Sequence, residues 1–264
     1  MKAGKLYRRW AKQGLRLGRQ VRELAEACAA EGTAARIHDL RVALRRFRFW
    51  ARVGKPWLPR GPRRQLERWG RDVARRTSPV RDWDVAGDWL RAQRVGEAVL
   101  TAWARRRAQV WGEQRAGWES LPAEVFEALR PPPLVPEAAR RLRRRVRRME
   151  QRFEDKLSDK LDCFCQLSPE ARHDVRRVVR RWRYLREMIQ TRRERREDSL
   201  LGALLAVQAA VGRAQNLELG LQRIEELVPD ETERQRLRKR GKAARKALRR
   251  ETREAVRRLR RALD

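Results

Sequence analysis

Apolar residues recur every three or four positions along most of this chain, with charged residues filling the positions between them. This spacing places the apolar side chains on one face of an α-helix. No stretch shows the strict apolar–polar alternation of a β-strand bounded by hairpin turns. The pattern therefore predicts an all-α fold.

Glycine, proline and other breakers divide the chain into predicted helices. The helices are predicted over residues 4–30, 34–53, 61–76, 82–118, 137–166, 169–195, 198–227 and 230–262. Gly96 is a candidate break within the fourth of these helices. Thr77-Ser78-Pro79 is expected to end the third helix, which makes Ser78 and Asp82 candidate caps of the next one.

The proline-rich segment at residues 131–136 cannot be helical and is the best candidate boundary in the chain. Four predicted helices precede it in residues 1–130, and four follow it in residues 137–264. The sequence therefore predicts a duplicated helical bundle with a short linker between its halves.

The two histidines each begin the same fourteen-residue pattern, and the two copies start 135 positions apart. In both copies a histidine is followed by arginines at offsets of three, seven and ten. The residues at these positions are His38, Arg41, Arg45 and Arg48 in the first copy, and His173, Arg176, Arg180 and Arg183 in the second. We call these two sets the first row and the second row.

On a helix, these offsets fall on one face within about 80°, and the three arginines span roughly 10 Å. Guanidinium groups present paired N–H donors that match phosphate oxygens and stay charged at neutral pH. A protonated histidine can extend such a row. A basic row is also a common solvated helix face, but few acidic residues lie at i±4 here, and the row occurs twice. The rows are therefore candidate polyanion contacts.

Charge is distributed over the whole chain. There are 68 basic and 35 acidic residues, a net charge of +33, and only nine of the basic residues are lysine. Residues 1–130 carry a net charge of +16 and the remainder +17. Self-repulsion of this size favours an anionic partner.

Other chemistry is sparse. Cys28, Cys163 and Cys165 lack the partners of a zinc site, so we interpret them as reduced structural thiols. No phosphate-binding glycine loop, secretory signal or membrane-spanning segment is evident. We expect a soluble cytoplasmic protein with no cofactor, no metal and no membrane partner.

The paired motifs resemble those of the CHAD family, the conserved histidine α-helical domain. The first is similar to H-x-x-R-V-A-x-R-R-L-R and the second to H-x-L-R-x-x-x-K-R-L-R-Y-x-x-E. Two further motifs, R-D-L-D-V and L-Q-x-x-L-G, resemble residues 81–85 and 207–212. The chain departs from the family pattern at four positions: Phe47, Arg180, Trp182 and Asn216.

This resemblance implies one domain built as a pseudo-twofold pair of four-helix bundles, with the two rows facing a shared basic cleft. It also implies inorganic polyphosphate as the ligand and association with polyphosphate granules. We predict that both rows contact the ligand, with flanking contacts from Arg46, Arg177, Arg181 and Tyr184.

Two other functions remain open at this point. A protein of this charge binds nucleic acid non-specifically at low salt, although no DNA- or RNA-reading motif is recognisable. An enzyme acting on polyphosphate or triphosphate is less favoured, because no carboxylate metal site or activated nucleophile is evident. The leading prediction is non-catalytic binding.

Overall fold

The computed structural model describes residues 2–263, and the regular elements within them are helices. The long helices are α1 (Ala3–Ala30), α2 (Ala34–Val53), α3 (Arg60–Ala92), α4 (Glu97–Arg115), α6 (Pro136–Asp162), α7 (Pro169–Ile189), α9 (Ser199–Gln222) and α11 (Glu231–Arg261). The short helices are α5 (Ala123–Ala128), α8 (Arg192–Glu197) and α10 (Ile224–Leu227), with a 3₁₀ turn at Phe164–Gln166. The all-α prediction is confirmed.

The long helices pack largely in chain order. Helix α2 lies between α1 and α3, and α3 also contacts α4; after the proline-rich segment, α7 contacts α6 and α9, and α9 packs on α11. Contacts between α1 and α6, α3 and α9, and α2 and α7 join the two sets. One continuous apolar core runs through both sets. None of the helices within residues 2–263 is long and apolar enough to cross a membrane.

The two motif helices begin in the same register. Thr33 caps α2 by accepting a hydrogen bond at Oγ1 from the backbone N–H of Arg36 (3.3 Å). Ser168 caps α7 in the same way, accepting from the backbone N–H of Ala171 (3.2 Å). Each motif histidine lies five residues after its cap. Hydroxyl caps satisfy the free N–H groups of a first helical turn, so they fix where each row starts.

The predicted helix end at Thr77-Ser78-Pro79 is wrong, because α3 continues through Pro79. Proline deprives the carbonyl four residues earlier of its usual donor. The neighbouring hydroxyls engage the same turn: Thr77 Oγ1 donates to the carbonyl of Val73 (2.6 Å) and Ser78 Oγ to that of Ala74 (2.7 Å). Since Ser78 lies inside the helix, its predicted capping role is also wrong, as is that of Asp82.

Other boundaries shift by a turn or more. The break near Gly96 is present, with α3 ending at Ala92 and α4 beginning after Gly96. Helix α7 ends at Ile189 rather than at 195, because Thr191 starts a new helix with a capping box that includes Glu194. Two further predicted helices are shorter than expected, α6 ending at Asp162 and α9 at Gln222. Helix α5 was not predicted.

Candidate functional site

Helix α2 carries the first row and α7 the second, and we call them the α2 row and the α7 row. The two helices contact each other, and each buries the face opposite its row. Leu40 and Phe47 of α2 lie in the core, as do Val175, Val179 and Trp182 of α7. Burial of these side chains holds each helix at a fixed rotation about its axis. The rows are therefore directed away from the core by the same apolar periodicity that folds the helices.

Four arginines from the two motifs make no hydrogen bond or ion pair with any atom of residues 2–263. They are Arg45 of α2 and Arg176, Arg180 and Arg181 of α7, all half-buried, and we call them the arginine cluster. The Nε atom of Arg45 is buried without a partner. Buried charged groups are normally paired, since desolvation without compensation is costly. The cluster therefore has unused capacity for an anion.

The members of the cluster affect one another electrostatically across the interface of α2 and α7. Burial and, after it, the positive charge of Arg45 lower the pKa of Arg180 to about 10. The pKa of Arg176 is also below its ordinary value, because of burial and the charge of Arg45. Guanidinium groups stay charged at neutral pH, and none of these four is ion-paired within residues 2–263, so the cluster is a site of positive potential.

Arg41, a predicted ligand contact, binds α3 instead of being free. Its Nη1 donates to the carbonyl of Ala74 (2.9 Å), Oγ1 of Thr77 (2.6 Å) and Oγ of Ser78 (3.2 Å). Burial and, after it, the charge of Arg45 lower its pKa to about 10. These bonds support the segment of α3 that carries Pro79.

Arg48 is also engaged within the protein. Its Nε donates to the Glu67 carboxylate (2.9 Å) and its Nη1 to the carbonyl of Gly70 (3.3 Å). A Cβ atom at Gly70 would lie 2.6 Å from Cδ of Arg48, so glycine is needed there for the arginine to lie along α3. Arg48 therefore joins α2 to α3.

Arg46, Arg183 and Tyr184 form a separate network between α2 and α7. Arg46 donates to Glu187 (3.0 Å), and Arg183 lies 3.5 Å from the same carboxylate group. Both guanidinium groups lie over the ring of Tyr184, at 5.6 and 4.8 Å from its centroid. The tyrosine is only 6% exposed, so its ring packs against both guanidinium groups and stabilises them through cation–π contacts.

The remaining predicted residues lie at the surface. Arg177 pairs with Asp174 (2.8 Å) in an exposed bridge, and both His38 and His173 reach solvent. Partial burial lowers the pKa of His38, and the nearby charge of Arg81 lowers it further. In the absence of a ligand His38 is therefore neutral at pH 7.

The segment Arg81 to Val85 has a structural role. Asp84 is 1% exposed and accepts a hydrogen bond from Nε of Arg107 on α4 (2.9 Å). The carbonyl of Trp83 accepts from Nε1 of Trp103 (2.7 Å). These contacts bind α3 to α4 through the buried Asp84 and the backbone of Trp83.

Sequence reasoning did not select Arg52, which lies next to the cluster. Its charge lowers the pKa of Arg181, after the effect of burial. It also lines a cavity of about 440 Å³ together with residues of α6. Arg52 lies four residues after Arg48, so the helical period could have indicated it, whereas no motif marks the α6 residues.

The fold and this site define an all-helical protein in which two equivalent helices bring unpaired arginines together. The chain belongs to the CHAD domain family, whose model matches residues 15–225. The confirmed resemblance covers most of the chain, including both motifs.

Two solved structures share the fold. The CHAD domain from the plant Ricinus communis is 18% identical, with a TM-score of 0.58 over 98% of this chain and 91% of that one. PptA from Streptomyces chartreusis is 16% identical, with a TM-score of 0.59 over 97% of this chain and 98% of that one. No curated protein matches this chain significantly.

Proposed function

We propose that this protein binds inorganic polyphosphate, without converting it chemically, at the arginine cluster. The observation that carries the proposal is that Arg45, Arg176, Arg180 and Arg181 come from both repeats, influence one another electrostatically and have no acceptor in residues 2–263. Membership of the CHAD domain family supports the same ligand. Association with polyphosphate granules would follow from this binding.

Half-burial distinguishes the arginine cluster from a solvated basic face. Arginines that serve only solubility extend into water, where each is hydrated and costs little. Those of the cluster are half-buried, so the fold has accepted the cost of desolvating like charges near one another. Polyphosphate is flexible and carries about one negative charge per phosphate, so successive phosphates can neutralise several of these arginines. Unlike a nucleic acid, it has no bases that the protein would have to recognise.

Substituting the cluster tests this proposal. We expect R45Q/R176Q/R180Q to weaken binding of long-chain polyphosphate at least about 100-fold at physiological salt, because several charge-assisted hydrogen bonds are lost. The affinity is measured by titration at several salt concentrations, and circular dichroism checks the fold of the variant.

A single variant, R177Q, is the matched control. Arg177 adjoins Arg176 in sequence, but it is exposed and already paired with Asp174. Its loss should change the affinity only slightly. Equal losses per arginine in the two variants would mean that the cluster has no special role.

Competition separates this function from generic binding to nucleic acid. RNA and single-stranded DNA at matched phosphate concentration should fail to displace polyphosphate from the protein at physiological salt. Displacement by RNA would assign the positive charge to nucleic-acid binding instead.

A further inference from the structure

One face of α6 carries a second set of cations outside both motifs. Arg145, Arg148, Arg152 and Lys156 lie on this face and line the 440 Å³ cavity together with Arg52. A neighbouring cavity of about 330 Å³ shares Arg145 and Arg148 and continues along α6 toward Trp57. The two cavities therefore form one groove beside the C-terminal end of α2.

The groove contains one hydrogen-bonded arginine and three cations without a partner among the described residues. Arg145 donates to the backbone carbonyls of Val53 (2.9 Å) and Arg52 (3.1 Å), which anchors α6 to the end of α2. Arg148, Arg152 and Lys156 make no hydrogen bond or ion pair with any atom of residues 2–263. Three unpaired cations on successive turns span roughly 12 Å of helix, and no carboxylate of the described residues lines either cavity. Arg52 has an acidic neighbour, Glu67 at 3.5 Å.

Arg52 connects this groove to the arginine cluster. It lies seven residues after Arg45 on α2, or roughly 10 Å along the helix. It also lies close enough to Arg181 to lower the pKa of that arginine. An anion that reaches Arg181 is therefore already beside the α6 groove.

We propose that bound polyphosphate leaves the arginine cluster across Arg52 and continues along the α6 groove, so that this face makes the protein favour long chains. The inference rests on the proposed function and extends its site. A short oligophosphate fills the cluster alone, whereas a long chain also neutralises Arg148, Arg152 and Lys156. Each additional contact releases counterions and adds to the affinity.

The experiment compares two triple variants of the full chain. R148Q/R152Q/K156Q removes the free cations of the groove and leaves Arg145, which anchors α6, in place. K239Q/K242Q/K246Q removes the same number of charges from α11, where these lysines are exposed and line neither cavity of the groove. Both variants and the wild type are titrated with tripolyphosphate and with long-chain polyphosphate at several salt concentrations.

We expect the α6 variant to lose about 10-fold to 100-fold in affinity for the long chain, with a salt slope smaller by about 2 to 3. Its affinity for tripolyphosphate should stay close to that of the wild type, and the α11 variant should retain most of its affinity for both ligands. Equal losses in the α6 and α11 variants would overturn the inference, since the effect would then be one of net charge.

Two other results have distinct meanings. An equal loss of tripolyphosphate and long-chain binding in the α6 variant would also overturn the inference, because the groove would then belong to one compact site. If the wild type did not bind polyphosphate, or if R45Q/R176Q/R180Q bound it as well as the wild type, the proposed function itself would be wrong, whatever the α6 variant does. Selective loss of long-chain binding in the α6 variant is the result that supports the groove.

Discussion

The pKa of an ionisable side chain in this protein depends strongly on its burial and on nearby charges. Arg41 and Arg180 have a pKa of about 10, mainly because each is partly removed from water. Both remain cationic at neutral pH, so burial weakens neither as an anion ligand. A histidine in the same surroundings behaves differently, since its ordinary pKa lies near 6.5.

His38 should therefore report ligand binding through its proton. Burial, then the charges of Arg81, Arg45 and Arg41, lower its pKa, and Asp39 only partly opposes them. A polyanion bound nearby favours the imidazolium, so we expect its pKa to rise toward its ordinary value on adding polyphosphate and a proton to be taken up below about pH 6.5. NMR titration of the imidazole resonances, with and without ligand, measures this shift.

Without ligand, protonation of His38 destabilises the folded protein. Because the pKa of His38 in the folded state is below that of the unfolded chain, the free energy of unfolding falls as the pH drops through about 6.5.

The variant H173Q is the control for the NMR titration. It leaves His38 as the only histidine and should retain the ligand-induced shift. An unchanged His38 pKa at saturating polyphosphate would place the ligand away from the α2 row.

At the scale of helices, close packing depends on glycine and tryptophan together. A Cβ atom at Gly14 of α1 would lie 2.1 Å from the ring of Trp50 on α2. That ring stacks on Trp10 (5.2 Å between centroids) and on Phe47 (5.3 Å), and its Nε1 donates to the carbonyl of Trp10 (2.8 Å). The glycine therefore sets the distance between α1 and the helix that carries the α2 row.

Gly14→Ala should destabilise the protein by about 2–3 kcal/mol, because the new methyl group overlaps a ring held by several contacts. Gly212→Ala is the matched control: Gly212 lies within α9, and a Cβ atom there would meet no atom within 4 Å. Alanine should stabilise that position by about 0.5–1 kcal/mol through helix propensity. Chemical denaturation measures both values, and a loss of equal size at the two sites would contradict the packing argument.

At the scale of the whole molecule, a net charge of +33 works against compactness. Part of that charge is neutralised internally, as in the bonds of Arg48 to Glu67 and of Arg186 to Asp198. The arginine cluster has no such partners. Natural binding sites commonly retain destabilising groups of this kind because the ligand requires them.

The cluster should therefore lower the thermal stability of the free protein and increase its stabilisation by polyphosphate. Without ligand, R45Q/R176Q/R180Q should unfold at a higher temperature than the wild type, since like charges near one another are removed. Polyphosphate should raise the midpoint of the wild type by selective binding to the folded state, and that of the variant much less. Thermal denaturation at constant ionic strength tests both effects. A variant that is less stable and responds equally to ligand would contradict them.

Local rules account for most of the helices and for both motif faces. The apolar period placed Leu40, Phe47 and Val179 in the core and left the arginines of both rows on the other side. Hydroxyl caps at Thr33 and Ser168 are also readable from the chain. The continuation of α3 through Pro79 was not predictable, because Arg41, which donates hydrogen bonds to that turn, lies on another helix.

The sequence by itself determined the all-α class, the repeat of the histidine–arginine motif, the family and the faces on which the arginines lie, because helical periodicity and repeated motifs are local in the chain. Tertiary structure alone decided which arginines are used internally and which are free. Arg41 and Arg48 look equivalent to Arg45 in the motif, yet only Arg45 lacks an acceptor among the described residues. The physical reason is that an acceptor can be supplied by any segment that packs nearby, and Thr77, Glu67 and Gly70 reach the α2 row only after α3 folds against it.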